Sequence, residues 1–309
     1  MRVVTQDAVG GPDELHIAER PVPEPGDGEM LVRVAAAGIN PVDLAVRAGA
    51  FPLIGEPPFV LGWDIAGTIA AVGEEVSGFE VGDKVFGMIN LPGQGKAYAE
   101  YVASPASHLA IMPEKVTFEE AAATTLAALT ALQVLQPRVK NGDRILIHAG
   151  SGGVGHFAIQ IAKGLGAYVI STSSAKNREF IMSLGADEHI DYREQKFEEV
   201  LSDIDFVLDS MGGEVLENSL RVVKNGGRIV SLLTQQFPED LQSEADQRSV
   251  ELEFVIVQSS GEDMNTLKGM LEAGELKPHV SRIFPFENMA DAHLQIESGR
   301  TVGKIIVTL

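Results

Sequence analysis

The most restrictive stretch of this sequence runs Arg144-Ile145-Leu146-Ile147-His148-Ala149-Gly150-Ser151-Gly152-Gly153-Val154-Gly155. A short apolar run, Ile145 to Ile147, meets glycines without a break. The glycines lead straight into a segment with apolar residues at Val154, Phe157, Ala158, Ile161, Ala162 and Leu165. That spacing is a helical stripe. Gly150, Gly152 and Gly155 thus form G-x-G-x-x-G between a predicted strand and a predicted helix, the context a dinucleotide-binding turn requires. There Gly150 is expected to allow the tight bend, Gly152 to let backbone approach a pyrophosphate, and Gly155 to let helix and strand pack closely. The helix N-terminus adds free N–H groups and partial positive charge. The alternative is a glycine-rich turn with no ligand; the strand before it and the helix after it argue against that.

Beyond the turn the chain alternates in the same way. Strand-like runs at Ala167 to Ser171, His189-Ile190, Asp205 to Asp209, Arg228 to Leu232 and Glu251 to Val257 are separated by helical segments. With the run at Ile145, six strands alternate with helices, which predicts a doubly wound parallel sheet. Residues 1–115 look different: short β-type runs separated by turns such as Pro25-Gly26-Asp27-Gly28 and Pro92-Gly93-Gln94-Gly95. Short strands at close spacing predict a β-barrel-like domain. Between the two lies an uncharged segment, Ala121 to Gln136, stopped by Pro137 and read as one buried helix. The tail ends in a strand, Lys304 to Leu309, expected to return to the first domain. The expected division is 1–117 with 277–309, and 118–276; a chain of 309 residues accommodates two domains.

Composition removes several chemistries. The chain has no cysteine, so disulfides, cysteine-ligated zinc, iron–sulfur clusters and thiol catalysis are excluded. A net charge of -20 without any Lys/Arg-rich run disfavours nucleic acid and anionic membrane surfaces as partners. No apolar run approaches the roughly 20 residues of a membrane span, and the N-terminus lacks a signal-peptide core. The expected location is the cytoplasm.

The coenzyme type is read from the end of the second strand. NAD sites place a carboxylate about 20 residues past the first glycine, on the ribose hydroxyl. Here that place holds Ser171-Thr172-Ser173-Ser174-Ala175-Lys176-Asn177-Arg178. Hydroxyls and cations suit a 2′-phosphate, which a carboxylate would repel. NADPH is the expected coenzyme, read by Ser173, Ser174 and Lys176, with Arg178 assisting. The alternative is a helix cap by Ser174 beside an ordinary surface lysine.

Several further motifs complete the pattern: Ala37-Gly38-Ile39-Asn40-Pro41-Val42-Asp43, Leu61-Gly62-Trp63-Asp64-Ile65-Ala66-Gly67, Val81-Gly82-Asp83-Lys84-Val85-Phe86, Ala97-Tyr98-Ala99-Glu100-Tyr101, Leu184-Gly185-Ala186-Asp187 and Gly303-Lys304-Ile305-Ile306-Val307. With these the chain resembles, over nearly its whole length, the medium-chain dehydrogenase/reductase superfamily, on its zinc-free quinone oxidoreductase and alkenal/alkenone reductase branch. The resemblance implies an α/β fold: a GroES-like β-barrel-type catalytic domain plus a Rossmann doubly wound six-stranded parallel sheet. Zinc members carry a Cys where this chain has Asn40, Gly-His-Glu where it has Gly62-Trp63-Asp64, and a four-cysteine lobe that it lacks. No bound metal is expected.

By resemblance, Asn40 faces the nicotinamide ribose or the substrate, and Thr130 lies by the nicotinamide. Ser151, Gly153 and Val154 meet the pyrophosphate, and Tyr192 packs near the adenosine phosphate. Each has a plainer alternative: Asn40 holds a turn before Pro41, Thr130 bonds back within its helix, and Tyr192 is a packing aromatic. Phe51 and Trp63 are either walls for a flat substrate or ordinary core. Asp43 and Asp64 read as caps or hydrogen-bond anchors rather than acids, and no general acid stands out. The expected activity is NADPH-dependent, zinc-independent reduction of a small quinone or α,β-unsaturated carbonyl by hydride transfer. The competing readings are a non-catalytic NADPH-binding protein and an enoyl-thioester reductase. The apolar sixth strand, Leu252 to Val257, should lie at the sheet edge, where a second copy could pair to form a homodimer.

Overall fold

Strand Glu29–Ile39 is the spine of the first unit. It pairs antiparallel with Asp64–Val72, Tyr101–Pro105 and Lys304–Thr308. The sheet extends through Lys84–Met88 and Ala110–Ile111 on one side and Val280–Pro285 on the other. A smaller antiparallel sheet of His16–Glu19, Arg2–Gln6 and Phe59–Val60 accompanies it. The computed structural model describes all 309 residues and divides into two units: Met1–Leu129 with Val257–Leu309, and Thr130–Ile256.

That division falls at other residues than the composition shift suggests, because two helices pack on the first sheet. Helix Phe118–Ala123 lies on strands Glu29–Ile39 and Asp64–Val72. Its three buried alanines allow the approach, and so does Gly38: a Cβ there would sit 2.7 Å from Asp64 Oδ2 and 3.0 Å from the Ala122 carbonyl. Helix Gly261–Ala273 packs on Ala110–Ile111; a Cβ on its first residue would lie 2.7 Å from the Ser107 carbonyl.

The expected single helix over 121–136 is two, Phe118–Ala123 and Leu126–Leu135. Thr124 and Thr125 turn their hydroxyls onto the carbonyls of Glu120 (2.7 Å) and Ala122 (2.9 Å). Such back-bonding competes with helix continuation. The next amide, Leu126 N–H, donates at 2.8 Å to the buried carboxylate of Asp64. The second helix therefore starts where a negative charge meets its N-terminus.

A buried polar chain ties the first unit's periphery together. Arg47, at the end of helix Pro41–Arg47, donates to the Gly10 carbonyl at 3.1 Å, to His293 Nδ1 at 3.1 Å and to Glu297. A guanidinium only donates, so His293 Nδ1 accepts and its Nε2–H donates to the Tyr98 hydroxyl at 3.1 Å. Burial, then the Arg47 charge, holds the His293 imidazole down at about 3. The ring is a neutral link, not a base.

In the second unit, six parallel strands lie in the order Glu188–Asp191, Tyr168–Ser173, Arg144–Ile147, Ile204–Asp209, Val223–Ser231, Glu251–Phe254. This is the expected doubly wound sheet, and the order reverses beside Arg144–Ile147. The register aligns Ile170, Leu146, Val207, Ile229 and Leu252 in one row across five strands. The first four are buried in one core cluster with Leu216, Leu220 and Val250. A run of neighbours buried by parallel pairing gives the β-branched, nearly continuous apolar strands of the sequence.

Replacing Arg47 by Ala should cost on the order of 3 kcal/mol, since it strands buried partners rather than deleting a surface pair. Urea denaturation against wild type measures it.

Candidate active site

The glycine turn begins at the C-terminal end of Arg144–Ile147, at the point where strand order reverses. Its left-handed residue is Ala149, with φ 51°. Gly150 is required for space: a Cβ there would lie 1.8 Å from Ser171 Oγ. Gly155 has its expected role, since a Cβ would sit 2.3 Å from the Ala149 carbonyl. At Gly152 a Cβ would lie 3.1 Å from the Ala149 carbonyl, so here too the turn leaves little room for a side chain. Gly152 caps helix Gly153–Gly164 with no side chain on its first amides. The N–H groups at Gly153 and Val154 are thus left for an anion.

A hydrogen-bond chain holds Ala149 in its strained conformation. Ser219 gives its hydroxyl proton to the Val215 carbonyl at 2.7 Å, so it accepts from His148 Nε2 at 2.9 Å. His148 Nδ1 then accepts from Thr172 Oγ1 at 3.2 Å, and Thr172 Oγ1 accepts the Ala149 amide at 3.2 Å. The His148 ring is buried edge-on to Phe197, 4.7 Å between centroids. Burial holds its pKa down at about 4, against a smaller upward pull from Asp209. His148 is thus a neutral strut beneath the turn.

Asp209, buried at the end of the neighbouring strand, organises the facing loops. Its carboxylate accepts the amides of Met211 and Gly212 at 2.9 and 3.0 Å and the Ser231 hydroxyl at 2.7 Å. Ser231 in turn accepts the amides of Leu233 and Thr234. Neither Asp209 nor His148 stands out in the sequence; a carboxylate ending a parallel strand before a glycine pair was the available signal.

At the end of the second strand the residues divide. Ser173 turns inward: its hydroxyl donates to the Ser174 carbonyl at 3.1 Å and meets His189 Nε2 at 2.9 Å. Ser174 starts a short 3₁₀ turn, yet its side chain makes no cap bond. Lys176 and Arg178 are exposed and carry no ion pair, and the guanidinium of Arg193 lies 5.7 Å over the exposed Tyr192 ring. The nearby Asp191 carboxylate accepts the amides of Ala175 and Arg193, both at 3.0 Å. Asn177 Nδ2 donates to Ser151 Oγ at 2.9 Å and so ties this segment to the glycine turn.

In the first unit Asn40 sits at the start of helix Pro41–Arg47, buried. Its amide donates to Asp43 at 2.6 Å. Its side-chain Nδ2 donates to Asp64 at 2.7 Å, and its Oδ1 accepts from Lys304. Lys304 also reaches the Ile39 carbonyl at 3.1 Å and Asp64 at 3.3 Å. Asp43 and Asp64 are hydrogen-bond anchors, as the sequence suggests. Burial pushes the Asp43 carboxyl up to about 7, against the lowering bond from the Asn40 amide. Trp63 is core: it is fully buried, with its indole N–H on the Gly93 carbonyl at 2.7 Å, so it offers no open face to a substrate. Phe51 is half-buried. Thr130 is buried in the helix Leu126–Leu135.

Residues 26–114 match the alcohol dehydrogenase GroES-like domain family, and residues 184–307 match the zinc-binding dehydrogenase family. The chain is 36% identical over 297 residues to the 2-methylene-furan-3-one reductase of Solanum lycopersicum, covering 93% of this chain and 73% of that one. The quinone oxidoreductase structure from Coxiella burnetii is similar at 35% identity and TM-score 0.94, over 100% of this chain and 99% of the other. The Escherichia coli quinone oxidoreductase complexed with NADPH is similar at 29% identity and TM-score 0.91, over 100% of both.

The chain belongs to the quinone oxidoreductase and alkenal reductase branch of the medium-chain dehydrogenase/reductases. It is an oxidoreductase, and its coenzyme is a nicotinamide nucleotide. No helix is long and apolar enough to cross a membrane.

A catalytic zinc, which the second family's description implies, does not fit the residues present. No group of three His, Asp or Glu converges anywhere in the chain. Both oxygens of Asp64 are taken by Asn40, Lys304 and Leu126, and Asn40 and Trp63 stand where zinc members carry Cys and the His of Gly-His-Glu. A nicotinamide dinucleotide does fit: the helix behind the glycine turn has no side chain on its first amides, which leaves an anion cradle.

Protonating His148 is penalised in the folded chain only. Its folded pKa lies below the unfolded value, so its contribution is whole above about 6.5 and declines as pH falls toward 4. The stability advantage of wild type over His148→Gln should therefore shrink between pH 7 and 4, as read by denaturant titrations.

Proposed function

We propose that this chain is an NADPH-dependent, zinc-independent oxidoreductase that reduces quinones or α,β-unsaturated carbonyls by hydride transfer. The observation that carries the reading is the second-strand terminus, where Lys176 and Arg178 present two exposed positive charges without ion-pair partners. Asp191 is nearby, but its oxygens are turned onto backbone amides. A 2′-phosphate gains charge-assisted bonds to the two cations there. Ser174, Lys176 and Arg178 read it. Ser173 does not, since its hydroxyl is used internally. Tyr192 covers the adenosine phosphate with its exposed ring.

Ser151, Gly153 and Val154 hold the pyrophosphate on the turn that Gly150, Gly152 and Gly155 make possible. NADPH, when bound, supplies the hydride. Thr130 and Asn40 orient the reacting ring, and Phe51 stacks on a flat acceptor. Such acceptors need little Lewis-acid help, because conjugation spreads the charge onto oxygen, where one donor suffices. That matches a site where Asn40 and Trp63 stand in place of the Cys and His of zinc members. The likeness to a furanone reductase and to quinone oxidoreductases supports the same substrate classes.

The protein forms a homodimer through Glu251–Phe254, whose outer edge has no partner strand in the sheet. Light scattering at micromolar concentration should give twice the 33.0 kDa chain mass; a monomer refutes the dimer.

A spectrophotometric screen over quinones, enals and enones tests the activity. NADPH should be oxidised much faster than NADH, and Lys176→Ala should raise KM for NADPH about tenfold with kcat nearly unchanged, as expected for a lost charge-assisted contact. Preference for NADH refutes the coenzyme assignment. Tight NADPH binding with no turnover would instead favour a non-catalytic binding protein.

A further inference from the structure

We propose that Lys304 is a positioning residue: with Asp64, it fixes the Asn40 carboxamide so that Asn40 presents an N–H, not a carbonyl, to an oxygen of the bound reactants. The proposal rests on the proposed reductase function and deepens it.

The argument is one of donors and acceptors. Lys304 Nζ has three N–H groups and no acceptor. Its contacts are three acceptors: the Ile39 carbonyl, Asn40 Oδ1 and Asp64 Oδ2. The ammonium is fully used, and the Asn40 atom facing it must be oxygen. Asp64 offers only acceptors, so the Asn40 atom facing its carboxylate at 2.7 Å must be nitrogen. The two neighbours agree on one of the two ways the amide can be turned. One Asn40 N–H is then left over as the donor of the side chain. Asp64 is itself anchored, since its other oxygen accepts Leu126 N–H at 2.8 Å. Asn40 is further held through its backbone amide by Asp43.

The arrangement is non-local. Pairing of Lys304–Thr308 with Glu29–Ile39 sets Ile305 opposite Ile39, which brings residue 304 beside residue 40. Gly38 leaves the space that the Asp64 carboxylate fills. Without the ammonium, Asn40 Oδ1 loses the donor that fixes it and Asp64 loses its counter-charge. The carboxamide then leaves the one orientation that aims its spare N–H at the reactants.

The test is a double-mutant cycle on the full chain with the acceptor found active in the screen. Asn40→Ala should lower kcat about 100-fold, the usual loss for one preorganised donor. Lys304→Met should lower it comparably while thermal unfolding shows a folded protein. The Asn40→Ala/Lys304→Met pair should be no slower than Asn40→Ala alone, because Lys304 acts through Asn40. A fall in kcat assigns the donor to the acceptor's carbonyl oxygen. A rise in KM for NADPH at constant kcat assigns it to a ribose hydroxyl. Losses that multiply in the double variant overturn the proposal. Should Lys304→Met not fold, Lys304→Gln carries the same cycle, with a smaller loss expected because Gln still donates.

A second readout needs no turnover. The Asn40 side-chain amide pair, identified in ¹⁵N spectra by its absence in Asn40→Ala, should shift and broaden in Lys304→Met. An unchanged pair overturns the positioning role. If wild type reduces nothing in the screen, the functional reading fails while these spectra still decide the orientation of Asn40.

Discussion

One buried carboxylate organises the first unit. Asp64 has no exposed surface and would be prohibitively costly there unless paired and hydrogen-bonded. The solution uses three partners from distant parts of the chain: Asn40 on the loop after the spine strand, Lys304 on the terminal strand, and Leu126 at the head of a helix. Each must be in place for the others to be tolerated. The position of the terminal strand, the break in the alanine-rich segment and the rotamer of Asn40 are thus consequences of satisfying a single charge. A site built this way is rigid because loosening any member leaves a charge unpaired.

The second unit solves a different problem by different means. A backbone that must accept a phosphate cannot fill its own amides, so the turn at Gly152 is held from below and behind. The relay from Ala149 through Thr172, His148 and Ser219 to Val215 supports it from the sheet side. Asn177 reaches Ser151 from the neighbouring loop, and Asp209 shapes the loops opposite. Both histidines in these networks, His148 and His293, are neutral struts whose protonation is opposed by burial. Imidazole suits the role because one nitrogen donates and the other accepts, which gives a hydrogen-bond chain a direction.

Much of this was legible in the residues. The glycine turn, the alternation after it, the six parallel strands and the short-strand first unit follow from periodicity and turn residues, which are local signals. The roles of Asp43 and Asp64 as anchors were also within reach, since each stands beside a helix start or strand start. Three readings changed once neighbours were known. Gly150 is small to clear Ser171, while the left-handed bend falls on Ala149; the Ser173 hydroxyl donates to the Ser174 carbonyl and meets His189; Trp63 is enclosed. None of these depends on the residue itself. Each depends on what the next strand or loop places against it.

The sequence by itself determined the class of fold, the dinucleotide turn and the absence of thiolate chemistry, because each is written in spacing or composition over a few residues. Only the tertiary structure decided that residues 40, 64 and 304 form one cluster and that Leu126 starts a new helix. It also decided that Ser173, one of the expected phosphate readers, points inward. The physical reason is that hydrogen-bond satisfaction is settled between groups far apart in the chain. Which donor a buried acceptor receives can be known only when the strands are in register.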